Sequence, residues 1–585
     1  MASLKEANGD LEQLSGIEAI KVASGGLYGD LPAELADGVD HFQESTVAVL
    51  KHHGSYQQDN RDLRKERKKQ GLGKLFTMMV RTKFPGGKIS AEQYLLCDDL
   101  ATELGQNDIR ATSRQGFQFH GVVKNNLRPL IQKLVALGNM TTLGGCGDVV
   151  RATMATPVTD IDPRYQDFEH DLIEIADMIK EKTLPKSQAF FDLWINDQKA
   201  TVNPDGTVSY VENLREENVD DLYGDQYLPR KFKIAVGADF DNSTDLYTND
   251  IGIMAVTENG RILGFEILAG GGLGYSHTLS KTYPRAASHV AFVQPDEVWP
   301  VTEAIIKVQR DYGERTDRKQ ARLKYTIDRL GVEGFQKLIY EYAGRTFEQP
   351  RNVKPTAQPD YLGWHRQTQD GYQYVGCWVE NGRLKDFDNS FQYKTGFRAI
   401  VEKYGCDVRV TPHHNMVLGY IKDEDVDGVK AMLAEYRIPT DDIETIRRQE
   451  MACPALPLCP LAQSEAERSF PELMDQLVAL GYGGEDISIR MTGCPNGCAR
   501  SSSSEIGLIG KGPERYVLTV GGDYNGTRVN EILMPVIKFK DIAPTLGRLF
   551  ELWKEQRNDG ERFGDWSHRI GCEALLAMLE AQPAA

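Results

Sequence analysis

The chain has little of what marks a membrane, secreted or nucleic-acid-binding protein. No uncharged apolar run in its 585 residues approaches the ~20 that a membrane-crossing helix needs. Its opening residues, Met1 to Asp10, lack the basic-then-apolar pattern of a secretion signal. Basic charge is scarce. The 68 Lys and Arg against 85 Asp and Glu leave a net charge of −17, which argues against a nucleic-acid partner and makes any local gathering of cations informative. No Walker-type loop, dinucleotide fingerprint or flavin module is present, so electrons or phosphate used by this chain must come from elsewhere. Cysteines number only nine. A cytoplasmic, reducing location is expected, where cysteines serve metals or catalysis more often than disulfides. The length suggests roughly four domain-sized units.

What is present begins with those cysteines. Four fall in two short loops, Cys453-Pro-Ala-Leu-Pro-Leu-Cys459 and Cys494-Pro-Asn-Gly-Cys498. Loops rich in Pro, Gly and Asn free the backbone from helix and strand and let several thiolates converge. The spacing is wider than the pairs typical of structural zinc and suits the larger volume of an iron–sulfur cube. Spacing alone still leaves zinc, or unrelated buried cysteines, as readings.

The basic residues also cluster. Asp59 to Lys69 is a charge-dense stretch, read as a solvated helix face or a docking surface for an acidic partner. Met78 to Gly87 reads as an extended run closed by Pro-Gly-Gly, with Arg81 and Lys83 on one face. A helix is expected from about Ser90 to Leu104, and another ends near Gly138. Between them Arg110 to His120 reads as a strand whose one face carries Arg110, Thr112, Arg114, Gln118 and His120, with Phe117 and Phe119 on the other. Such a face is a plausible floor for a polyanion. Lys231 and Lys233 open a further strand and call for a negative partner if they line a cleft. A hairpin turning at Asn259-Gly260 leads into Gly270-Gly271-Gly272, where absent side chains permit close approach of a ligand. Ala304 to Arg329 reads as a basic helical segment, and the prolines of 349–359 as a linker.

The second half repeats the first. Arg151-Ala-Thr-Met-Ala-Thr-Pro157 matches Arg448-Gln-Glu-Met-Ala-Cys453-Pro454 without a gap, Ile109-Arg110-Ala-Thr112 matches Val408-Arg409-Val-Thr411, and Ile251-Gly recurs as Ile506-Gly. The order is kept as well as the residues. The expectation is an internally duplicated, pseudo-twofold protein with a ligand site between its halves. One half kept thiolates and the other kept cations.

With these residues in view, the chain resembles the sulfite/nitrite reductase family. The motifs that carry the likeness are Tyr56-Gln-Gln-Asp-Asn-Arg-Asp62, Arg114-Gln-Gly-Phe-Gln-Phe-His120, Leu228-Pro-Arg-Lys-Phe-Lys233, Met451-Ala-Cys453 with Cys459, and Thr492-Gly-Cys494-Pro-Asn-Gly-Cys498. The resemblance implies an α+β fold with two ferredoxin-like half-domains and two larger sirohaem/4Fe–4S-type domains. The divisions expected are an arm over 1–70, half-domain one over 71–140, a substrate and sirohaem domain over 141–348, a linker with half-domain two over 349–425, and the cluster domain over 426–585. It implies a 4Fe–4S cluster on Cys453, Cys459, Cys494 and Cys498, with Cys498 also the axial ligand of sirohaem. Arg110, Thr112, Arg114, Gln118, His120, Arg230, Gly270, Gly271, Gly272, His414, Asn496 and Arg500 match positions around the macrocycle, whose eight carboxylates suit arginine pairing. Arg81, Arg151, Lys231 and Lys233 match the distal group that binds the substrate anion and assists its reduction. His414 departs from the family, standing where a Gln is usual, and His413 is the repeat partner of Arg114. The implied activity is six-electron reduction of sulfite to sulfide, with electrons from an NADPH-oxidising flavoprotein carrying FAD and FMN. Alternatives are a ferredoxin-fed sulfite or nitrite reductase and, in a different class, a simple iron–sulfur electron carrier.

Overall fold

The computed structural model describes residues 13–195, 200–202, 208–210, 220–388 and 390–581; the first twelve residues of the expected arm lie outside them. Apolar residues at alternate positions build two five-stranded antiparallel sheets. The first runs, in space, Ser55–Asp59, Phe76–Arg81, Phe117–Val122, Ile109–Ala111 and Arg383–Leu384. The second runs Gly363–Arg366, Tyr372–Cys377, Met416–Lys422, Asp407–Val410 and Lys88–Ile89. Each sheet is therefore completed by a two-residue strand from the other half of the chain.

Helices cover these sheets in corresponding places. Ala91–Leu104 begins at a capping box in which Ser90 accepts from the Gln93 backbone and Gln93 answers with its side chain. Lys124–Gly138 buries Leu127, Leu130, Ile131 and Leu134, the 3–4 spacing of one helix face. Both helices stand where the sequence places them.

The two larger domains repeat a second pattern. Ile234–Ala238 pairs in parallel with Ile251–Glu258, which turns at Asn259-Gly260 into Arg261–Ala269 and then Ser288–Val293. Ile489–Thr492 pairs in parallel with Ile506–Gly512, followed by Arg515–Val520 and Glu531–Lys538. The registers coincide: Ile234 faces Ile251 as Ile489 faces Ile506. Met154 bridges Ala235 as Met451 bridges Arg490. One apolar core runs from Leu27 to Ile438 through the arm, both half-domains and the first large domain, while Ile446 to Leu579 form a second.

Three local expectations differ. Arg110 to His120 is a hairpin rather than one strand. Gln115 takes a left-handed φ of 57°, and a Cβ on Gly116 would lie 2.7 Å from the Thr82 carbonyl, so the chain turns there. Thr112 and Arg114 thus sit at a tip. Lys231 and Lys233 precede the strand Ile234–Ala238 instead of belonging to it. The basic segment 304–329 breaks into Val298–Tyr312 and Leu323–Leu330, the first helix ending where Gly313 turns to extended backbone at φ −67°, ψ 145°.

Candidate functional site

The two cysteine loops meet at the C-terminal ends of neighbouring parallel strands. Cys453 follows Met451–Ala452, and Cys494 follows Ile489–Thr492 after one glycine. The Gly493 N–H donates to Cys453 Sγ at 3.3 Å, and Asn496 donates from both backbone and side chain to Cys494. Cys459 is held by a turn in which its N–H donates to the Ala455 carbonyl at 2.8 Å. Burial, and then the thiolate of Cys498, pushes Cys494 up to about 12; the same two causes raise Cys459, and they raise Cys453 well above the thiol range. The four sulfurs therefore bear on one another. Yet among the described residues no three Cys, His, Asp or Glu side chains gather tightly enough to hold a single ion. A donor set of four thiols fits an iron–sulfur cube. Cys498 alone of the four is exposed.

Opposite these loops, the first half presents cations. Arg114 donates to Asn249 Oδ1 at 2.9 Å and to the Ala152 and Ile234 carbonyls. Arg151 donates to the Tyr56 hydroxyl at 3.3 Å and to the Gly147 carbonyl. With the Gln118 amide oxygen turned toward it, Arg81 donates there at 3.0 Å. The strand order places these side chains together: the Arg151 N–H bonds the Phe232 carbonyl at 2.9 Å, which brings Arg151 beside Lys231 and Lys233.

Neither lysine has a side-chain partner among the described residues. Burial, then Arg114 and Arg322, lowers Lys233 to about 7. Burial, then Lys233, Arg322 and Arg151, holds Lys231 well below the lysine range. Arg114 falls to about 9 through burial and the nearby Arg151 and Arg500. Buried cations that depress one another lack their counter-ions. Asp250, the carboxylate nearest Lys233, is already paired with Arg322 at 2.9 Å.

Other expected residues have different work. Arg110 spends its guanidinium inside the protein, paired with Glu467 and donating to the Ala452 carbonyl at 2.6 Å. Thr112 caps the hairpin, its hydroxyl accepting from the N–H groups of Arg114 and Gly116. Arg230 lies 3.9 Å from Asp148, a carboxylate shared with Arg318. A Cβ on Gly271 would meet the Tyr247 carbonyl at 2.2 Å and one on Gly272 would meet Arg322 at 2.9 Å, so those glycines are required by the protein's own packing. Arg500 pairs with Asp245 at 2.6 Å and donates to the Pro412 carbonyl. His120 and His414 are buried with Nδ1 unpartnered. Glu467, Asp245 and Asn249, which fix the arginines, and Arg322, which fixes Asp250, carry no motif in the sequence; each acts on a residue more than 70 positions away.

Comparison with known proteins follows from this geometry. The family described as nitrite and sulphite reductase 4Fe-4S domain matches residues 176–347 and 485–583, and the nitrite/sulfite reductase ferredoxin-like half domain matches 71–137 and 365–436. A relative from Shewanella sp. strain ANA-3, named sulfite reductase [NADPH] hemoprotein beta-component, is 38% identical over 96% of this chain and 97% of its own length. A Schizosaccharomyces pombe protein, named sulfite reductase [NADPH] subunit beta, is 37% identical over 95% of this chain, which covers 38% of that longer protein. The solved structure of the Mycobacterium tuberculosis NirA protein shares the fold, with a TM-score of 0.77 and 23% identity over 97% of this chain and 99% of that one.

Proposed function

The chain belongs to the nitrite and sulfite reductase family, and from that premise we propose that it is the haemoprotein component of an assimilatory sulfite reductase, reducing sulfite to sulfide. The observation that carries this reading is the group of cations that desolvation and mutual repulsion depress, Arg114, Lys231 and Lys233, standing beside Arg151 and facing the four thiols. A sirohaem joined to a 4Fe–4S cluster fits both halves of that arrangement: it brings carboxylates to the arginines and iron to the thiols, and it supplies electrons singly to a small oxyanion.

Cys453, Cys459, Cys494 and Cys498 would hold the cluster, and the exposed Cys498 sulfur is the one free to serve both groups. Arg81 and Arg151 act as clamps on a dianion, the planar guanidinium fork matching two of its oxygens. Lys233, at about 7, holds and releases a proton near neutrality, and six protons are consumed as bisulfite becomes hydrosulfide. Lys231, also held below the lysine range by burial and by Lys233, stands beside it as a second proton donor. Arg151 is buried and Arg81, Lys231 and Lys233 are half-buried, which weakens screening by bulk water.

Electrons arrive from a separate protein, an NADPH-oxidising flavoprotein. The helix Arg64–Lys69 buries none of its residues, and Arg61 fastens its leading turn to the cysteine loop by donating to the Cys459 and Ala462 carbonyls at 3.3 and 2.5 Å. Beside it Leu461 is 62% exposed. A basic surface with an apolar centre next to a cluster cysteine suits an acidic donor. No helix among the described residues is long and apolar enough to cross a membrane; the cytoplasm is the proposed location, and the domain divisions given above are retained.

Steady-state turnover tests the reading. The purified protein should show chlorin-like visible bands and reduce sulfite faster than nitrite with NADPH and the flavoprotein. Faster turnover with reduced ferredoxin would replace the donor, and absence of chlorin bands after expression with sirohaem supply would leave a simple iron–sulfur carrier.

A further inference from the structure

The two ferredoxin-like half-domains end their central hairpins in the same turn. In the first, the Thr112 N–H donates to the Gly116 carbonyl at 3.0 Å; in the second, the Thr411 N–H donates to the Asn415 carbonyl at 2.9 Å. The Thr112 hydroxyl accepts from the Arg114 and Gly116 N–H groups, and the Thr411 hydroxyl from those of His413 and Asn415. The third residue of each turn is left-handed, Gln115 at φ 57° and His414 at φ 71°. Position by position, Arg114 corresponds to His413 and Gln115 to His414.

The side chains on the two turns differ in one respect. Arg114 and Gln115 are saturated: the Gln115 amide donates to the Gly86, Ala155 and Val410 carbonyls and accepts from the Ala155 N–H. His413 and His414 are buried more deeply than Arg114, at 2% and 3% exposure, yet both ring nitrogens of His413 and Nδ1 of His414 have no partner among the described residues. One orphaned buried polar atom costs about 1–3 kcal/mol. Three on two successive residues mark a missing ligand.

Its chemistry is set by what faces the rings. His413 is faced by Arg490, Arg500 and Asp245, and His414 by Arg110, Arg490, Arg500 and His413. Asp245 is engaged by Arg490 at 2.7 Å and Arg500 at 2.6 Å, and Arg110 is paired with Glu467. The protein supplies no free acceptor to either ring. Surrounded by guanidinium groups, both imidazoles are neutral in the unloaded protein, and an anion placed against them would draw protons on to them.

We propose that His413 and His414 close on carboxylates of the tetrapyrrole and become protonated as it binds, so that loading takes up protons through this turn. The proposal rests on the sirohaem reading above. In the first half the corresponding charge, on Arg114, is present before the ligand arrives; in the second it is created by the ligand. The sign follows directly. A group whose pKa rises on binding favours the bound state at low pH and ceases to do so as pH climbs through its bound-state value.

The test uses the full chain produced without tetrapyrrole and, as probe, sirohydrochlorin, the iron-free macrocycle bearing the eight carboxylates. Calorimetry in two buffers of different ionisation enthalpy counts the protons taken up, and ligand fluorescence gives the affinity. Lys231 and Lys233 contribute protons of their own, so the informative quantity is the difference between native and variant. His413→Asn/His414→Gln should take up about one to two fewer protons at pH 7, and should bind about tenfold more weakly at pH 6 but nearly as well at pH 8.5. Should that pair of changes impair folding, His413→Arg restores the charge found in the other half; it should bind as tightly as native with about one proton fewer. Equal proton counts in native and variant would overturn the proposal alone. Failure of the native chain to bind the macrocycle at any pH would overturn the sirohaem reading with it.

Discussion

Lys233 is the residue on which the proposed chemistry bears most directly. Its amine has no partner, sits among guanidinium groups and titrates at about 7. Lys233→Met should leave the visible bands intact and lower sulfite turnover about a hundredfold, the usual scale for a positioned acid; unchanged turnover in a fully loaded variant would remove it from the mechanism. Cys498→Ala should disturb haem and cluster together, seen as changes in both the visible spectrum and the low-temperature paramagnetic signals, because one sulfur is assigned to both groups. Glu467→Gln should cost about 3 kcal/mol in urea unfolding, since it leaves Arg110 and Arg383 buried without their shared carboxylate. The sequence made these residues unequally visible. The four cysteines stand in two compact loops and could be read as a set, although spacing alone left zinc open. The role of Arg110 could not be read, because Glu467 lies in the other half of the chain and no local pattern joins them.

At the scale of elements, the alternation of apolar residues was a good guide wherever it met no turn. The helices Ala91–Leu104 and Lys124–Gly138 and the hairpin at Asn259-Gly260 stand as the pattern requires. Period-two reading failed over 110–120 because alternation continues through a four-residue turn whose only marker is the conformation of Gln115. The correspondence of that turn with the one at His413 and His414 was legible in the repeat, while the hydrogen bonds they share required the fold. The helix Arg64–Lys69 was correctly read as exposed, while its attachment to the cysteine loop through Arg61 required the fold. Exchanging Lys65 and Lys68 for Glu should raise KM for the flavoprotein about tenfold at low salt, with the difference shrinking as salt is added. Turnover with a small reduced dye should not change. An equal loss with the dye would place the effect in the active site instead of at the docking surface.

For the molecule as a whole, burial of neutral imidazoles sets a limit on acid stability. Burial is the foremost cause that lowers His52 and His53 to about 4, against roughly 6.5 in an unfolded chain. The unfolded state therefore binds more protons between these values, and stability is complete above about 6.5 and lost as pH falls through that window. The urea midpoint at pH 5.5 should lie well below that at pH 7.5, by about 1 kcal/mol for each such ring; a midpoint independent of pH would show that these rings are hydrated. The exchange of strands between the half-domains has a consequence in time as well as in space. Lys88–Ile89 waits for Asp407–Val410, and Ile109–Ala111 waits for Arg383–Leu384, about 300 residues further along the chain. At ribosomal speeds of roughly 5–20 residues per second, the first sheet stands with an open edge for about 15–60 s before its last strand emerges. The first half-domain's sheet therefore cannot be finished until the second half of the chain has been made.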